Sequence, residues 1–377
     1  MTRRAAAPGA PARQIPALDG IRGLAIIWVV LHNATELPTT PCGGALQLFI
    51  MLTRPGWIGV QLFFALSGFL ITAGLIDSQG ARNYFSGFYA RRALRILPLY
   101  YSVLLVLLVV LPRLVTMPAP FTTDRQARLW LFTVNTTPQA PYGFGHFWSL
   151  AVEEQFYLIW PLVVVWLTPR GLLIACLWVS GGALALRCAL AAYGADWWTF
   201  YAATPCRMDA LALGAAAACM LRLPRLREWV ASRMRTLALL GALLFVAGIA
   251  LTHAYDRTAL AGETAGYSLL ALSSAVFVTA AAVPDRSLAG LAALLSWRPL
   301  ASCGRLSYAI YVFHGLLHKL LGEPWLHARF GNEPTTRVIF FYSVAILLVS
   351  YLLAFLSYHG FEKHFLRMKR FFAPAGA

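Results

Sequence analysis

Glu153 and Glu154 stand side by side in HFWSLAVEEQFYLIWP, residues 146–161, with Ser149 and Gln155 beside them. The run around them continues to Leu167 and is otherwise apolar and aromatic enough to span a bilayer. A carboxylate at membrane depth costs a few kcal/mol or more, so it persists by facing a protein interior, a partner or a water-filled cavity. Neighbouring residues on a helix point about 100° apart. One carboxylate can therefore face a central cavity while the other ties helices together, and spacing alone does not say which.

Other ionisable groups recur at similar depth. Arg22 and His32 lie in LDGIRGLAIIWVVLHNA, about 15 Å apart along a helix that rises 1.5 Å per residue. An imidazole titrates near neutrality and can take a proton from a hydroxyl, so His32 is a natural general base. The plain alternative is a histidine that satisfies a neighbouring carboxylate. In FYARRALRILPLYY, Arg92 and Arg95 are three apart and share one helix face. A forked guanidinium pair suits phosphates, although a positive anchor at a membrane border explains the same residues. Arg207 and Asp209 in CRMDALALGA call for a mutual or inter-helix ion pair. Tyr311, His314 and His318 in LSYAIYVFHGLLH follow a spacing that lines one helix face. Ser67 and Gly68 read as small residues that allow close helix approach. No serine or cysteine has an evident base at fixed spacing, so a covalent acyl-enzyme has no support.

These residues need an all-α, polytopic membrane scaffold to position them. The chain has 377 residues, of which 59% are hydrophobic and 12% charged, and a mean hydropathy of +0.65. Soluble domains run nearer 45–50% apolar and about 25% charged. Ten spans are predicted, near 18–34, 57–76, 96–112, 146–167, 172–192, 204–221, 236–253, 264–283, 303–321 and 337–358. Residues 1–14 read as a disordered cytoplasmic tail, 15–370 as the membrane domain and 371–377 as a C-terminal tail. With the N-terminus inside, 21 of the 31 basic residues fall in cytoplasmic segments and eight in outer loops. That bias sets both termini in the cytoplasm if the count is ten. The net charge of +16 is thus spread over short loops, and no basic stripe or zinc-finger spacing points to nucleic acid. The six cysteines are scattered without a C-x-x-C, which supports neither a metal site nor a redox pair.

In order, LDGIRGLAIIWVVLHNA, GVQLFFALSGFLIT, RRALRILPLYY, FWSLAVEEQFYLIWPL, RMDALALG, LSYAIYVFHG and YHGFEKHFLR resemble the acyltransferase 3 family of bacterial membrane O-acyltransferases. The likeness covers about residues 15–370. It implies a ten-helix fold in the cell (inner) membrane, with no permanently bound cofactor. Acetyl-CoA or another acyl-CoA is then the acyl donor. The acceptor is a hydroxyl of a cell-surface glycan or of a small molecule such as a glycosylated metabolite. The resemblance makes His32 the catalytic residue with Arg22 below it, and puts Arg92 and Arg95 near the acyl donor and Glu153 in the S-x-x-x-E-E segment. In the mechanism expected from these residues Glu153 orients the imidazolium and Arg22 serves the donor path. It leaves Glu154, Ser149, Arg207, Asp209, Tyr311 and His314 in a supporting polar network. Some relatives add a hydrolase-fold domain after the membrane part, which this sequence is expected to lack. Two departures stand out. Arg22 and His32 are ten steps apart where the family commonly has eleven, which turns His32 about 80° away and puts Asn33 in the usual register. Gln61 stands where the family often has Asp. The competing expectation from the residues is a transporter or flippase that uses an intramembrane His, Glu and Arg proton relay.

Overall fold

In a computed structural model the described residues are 15–37, 43–114, 122–138, 143–253, 256 and 258–376. The expected N-terminal tail and Cys42 lie outside them. The protein is all-α: the structure is 86% helical with no strand among the described residues.

Among the described residues, seven helical stretches are long and apolar enough to cross a membrane. They are Pro16–Thr35, Gly44–Asp77, Tyr84–Leu114, Pro169–Ala192, Met234–Leu251, Gly262–Ala282 and Thr336–Phe372. Large side chains such as Leu239, Leu243, Trp178 and Leu348 stand exposed on them, an arrangement that a hydrocarbon environment stabilises and water does not. This is a multi-pass membrane protein. The other three expected spans are helical but shorter, more polar or broken: Trp148–Trp166, Thr204–Met220, and a run made of Arg298–Arg305, Ser307–Leu316 and the π-turn Leu317–Gly322.

Five helices position the site. They are α1 (Pro16–Thr35), α2 (Gly59–Asp77), α3 (Tyr84–Leu104), α4 (Trp148–Trp166) and α5 (Ser307–Leu316). α1 starts on Pro16, whose fixed φ and missing N–H suit a first helical position. It is the central post. At Gly20 and Gly23 the backbones of Leu295 and Leu300 press so close that a Cβ would collide with their carbonyls. On another side Gly56 and Gly59 approach the carbonyls of Trp28 and Ala25 just as tightly.

α3 begins earlier than hydropathy suggests, at Tyr84 rather than near Ile96, so Arg91, Arg92 and Arg95 lie within the helix instead of at its entrance. The apolar patch at residues 129–134 folds onto α3. The Tyr100 hydroxyl donates to the Leu129 carbonyl at 2.8 Å, and the Tyr100 and Phe132 rings stack with centroids 4.2 Å apart.

Candidate functional site: two adjoining chambers

Arg22 from α1, Arg92 and Arg95 from α3 and Glu153 from α4 border one cavity, with about 800 Å³ of free space. Arg22 Nη1 meets Asp19 at 3.3 Å. The Arg92 guanidinium lies over the Tyr157 ring, 5.5 Å from its centroid, and within the field of both glutamates. Ser67 and Tyr157, hydrogen-bonded to each other, stand beside Glu153. Of the two adjacent glutamates, Glu153 faces this space. Glu154 is turned toward Arg92, Tyr100, Tyr101 and Tyr308. Three guanidiniums against one lining carboxylate leave the chamber positive, a setting for an anion with forked acceptors.

A second cavity, with about 1150 Å³ of free space, is bordered by His32, Asn33, His146 and His318 and by the indoles of Trp57, Trp148, Trp197 and Trp198. His32 is 5% exposed and its Nε2 lies 4.0 Å from Glu36 Oε1. α1 is unbroken from Pro16 to Thr35, so the ten-step offset between Arg22 and His32 is real. The chamber is wide enough to take in both His32 and Asn33. The Asn33 amide donates to the Val29 carbonyl at 2.9 Å and lies 3.4 Å from His314 Nε2. The expected pairing of His32 with Glu153 is not what the geometry brings together, because the two border different chambers.

Tyr311 and Val60 line both cavities and form the wall between them. The phenol has one proton. It donates to the His146 carbonyl at 2.6 Å and takes a hydrogen bond from Ser149 Oγ at 2.6 Å. Of the three residues spaced along one face of α5 and the turn after it, Tyr311 and His318 border the second chamber. His314 sits behind Asn33, with its Nδ1 on the Tyr311 carbonyl at 2.7 Å.

The expected ion pair at Asp209 forms between helices and not with Arg207. Arg187 Nη2 reaches Asp209 Oδ2 at 2.7 Å, and Ser268 also donates to that oxygen. Arg207 is fully buried, and its guanidinium nitrogens have no hydrogen-bond partner among the described residues. Four rings surround it instead: Phe64, Trp148, Tyr201 and Tyr267, the last 4.2 Å from centroid to Cζ. Sequence reasoning missed the indole wall and gave no role to His146 or Asn135. Asn135 is buried; its amide donates to Thr204 Oγ1 at 2.9 Å, and Gln155 donates to its oxygen at 3.0 Å. Pairings of this kind leave no local pattern in a sequence.

Helices bearing buried arginines and imidazoles around joined cavities are the architecture of a membrane-embedded enzyme or carrier. The match to known sequences places the chain more closely. Residues 15–355 match the acyltransferase 3 family model, described as an acyltransferase domain, and the chain belongs to that family. It is 29% identical to YrhL of Bacillus subtilis over 93% of its own length and 55% of that protein. It is 27% identical to the O-acetyltransferase OatA of Staphylococcus aureus over 93% of its length and 57% of the relative. A further relative is the peptidoglycan O-acetyltransferase OatA of Listeria monocytogenes, 27% identical over 80% of this chain and 49% of that one. The chain thus spans about half the length of the curated relatives it matches. No solved structure matches it significantly.

Proposed function

We propose that this protein is a membrane O-acetyltransferase that moves an acetyl or other short acyl group from acyl-CoA to a hydroxyl of a cell-surface glycan. Peptidoglycan is the first acceptor to test, since relatives are named for it. The observation that carries the reading is the pair of chambers meeting at Tyr311 and Val60: one offers guanidiniums, the other imidazoles. Membership of the acyltransferase family gives that pairing its chemistry.

On this reading the donor enters the arginine chamber from the cytoplasm. Arg92 and Arg95 fork onto its phosphates, and the pantetheine arm carries the thioester past Arg22 toward Tyr311. His32 takes the proton of the acceptor hydroxyl as the new C–O bond forms. The C–S bond then breaks, and the proton passes to the departing thiolate. Arg22 neutralises charge along the donor path, and Glu153 offsets the surplus positive charge around it. Ten spans with both termini in the cytoplasm of the inner membrane complete the picture. Incubation of inserted protein with acetyl-labelled acetyl-CoA and peptidoglycan is the test. Label should reach the acceptor, and His32→Ala should lower the rate roughly 10²–10⁴-fold, the usual worth of a general base. Native-rate transfer by His32→Ala would refute the role of His32. Label that never leaves the donor with wild-type protein would favour the carrier.

A further inference from the structure

His146 borders the second chamber and has no part in the scheme above. Its Nδ1 is turned toward α5, where it sits so close to Gly315 that a Cβ at that position would overlap the ring. The carbonyls of Val312, Tyr311 and Gly143 lie within reach of the ring. A neutral imidazole that gives its hydrogen to such a carbonyl keeps the other nitrogen as a lone pair. Its Nε2 is buried and has no hydrogen-bond partner among the described residues. The ring is held between those of Phe147, Tyr311 and His314, with centroids 4.6, 5.3 and 4.9 Å away, and it borders the chamber that holds His32. In the same chamber the Trp198 indole N–H is also without a partner among the described residues. A buried lone pair and a buried N–H that nothing satisfies are each costly unless a ligand supplies the missing half.

We propose that His146 is an acceptor-binding residue. Its Nε2 takes a hydrogen bond from a hydroxyl of the acceptor other than the reacting one, and Trp198 donates to an oxygen nearby. The chamber is thereby selective for polyhydroxylated acceptors over simple alcohols. This rests on the reading above, in which His32 takes the proton of the reacting hydroxyl. A site built to hold a hydroxyl discriminates strongly against a molecule that lacks it, because its own polar group is then left unpaired.

The test uses the full chain in detergent or nanodiscs with labelled acetyl-CoA, a soluble muropeptide disaccharide and, in parallel, a monohydroxylic alcohol. In His146→Ala the KM for the muropeptide should rise roughly tenfold or more, the worth of a hydrogen bond to a buried group, while the KM for acetyl-CoA moves less than twofold. The preference for muropeptide over simple alcohol should shrink by a similar factor. His146→Gln, whose amide oxygen can accept, should recover part of the lost affinity. An unchanged muropeptide KM in His146→Ala overturns the inference. So does a fall confined to kcat, or equal weakening toward both acceptors. Wild-type protein that transfers nothing to either acceptor overturns the underlying reading as well, so the two failures are distinguishable.

Discussion

Arg187 and Arg207 are both fully buried, yet their charges are met in opposite ways. Arg187 is bound to Asp209 and Ser268, so its removal strands a carboxylate in a site closed to water. Breaking one side of such a pair costs about 3–5 kcal/mol. Arg207 rests on ring faces without a hydrogen bond among the described residues, with Asp209 acting on it only through its field. A desolvated cation–π contact is worth about 2 kcal/mol before the cost of burying the charge is set against it. Arg187→Met is therefore expected to lower the melting temperature of the solubilised protein far more than Arg207→Met does. Equal losses would mean that Arg207 has an anionic partner in solution. Arg92 and Arg95 depend on geometry as well as charge. Arg92→Lys keeps the charge and loses the fork, so the KM for acetyl-CoA should rise about tenfold. An unchanged value would move the donor phosphates elsewhere. At this scale the sequence disclosed which residues needed partners, because a charge in an apolar run is conspicuous. It could not name those partners. Arg187 lies 22 positions from Asp209 on another helix, and nothing local marks the pair.

The elements are held together where side chains are smallest. At Gly68 a Cβ would collide with the backbone of Leu211, and at Gly214 with that of Ala65, so α2 and the helix Thr204–Met220 touch backbone to backbone. Gly68→Val should force these helices apart and leave little folded protein by size-exclusion chromatography in detergent. Gly74→Val, on the same helix with open space around it, should behave like wild type. If Gly68→Val elutes and melts normally, the close approach does not support the fold. Hydropathy placed these helices well where they are uniformly apolar. It shortened α3, because Tyr84 to Arg95 mixes aromatic and basic residues and falls below a membrane average. It also ran the end of Arg298–Arg305, Ser307–Leu316 and the π-turn together as one span, because the apolar pattern continues through the breaks. The buried polar groups that define the chambers depress hydropathy in the helices that carry them, so composition is least informative about the elements nearest the chemistry.

For the whole molecule the open quantity is the number of crossings, and its parity decides where the ends lie. Seven crossings would put the termini on opposite sides, and ten put them together. The structure brings the two ends to one end of the bundle. Arg22, two turns into α1, lies in the field of Arg92 and Arg95. Near the start of α3, Arg91 donates to the carbonyl of Phe372, and the Asn83 amide donates to that of Ala373 at 2.8 Å. An even count follows if all the spans cross, which requires the shorter helices Trp148–Trp166 and Thr204–Met220 and the broken run through Ser307–Leu316 to cross with the seven longer ones. On the proposed topology the basic residues gathered at that end put it in the cytoplasm. Alkaline phosphatase, active only outside the cytoplasm, should therefore be inactive when fused after residue 376 or at Pro284, and active when inserted at Gly331. Green fluorescent protein, which fluoresces when it folds in the cytoplasm, should give the complementary pattern. Activity at residue 376 together with silence at Gly331 would invert the orientation, and the arginine chamber could then no longer draw its thioester from the cytoplasm.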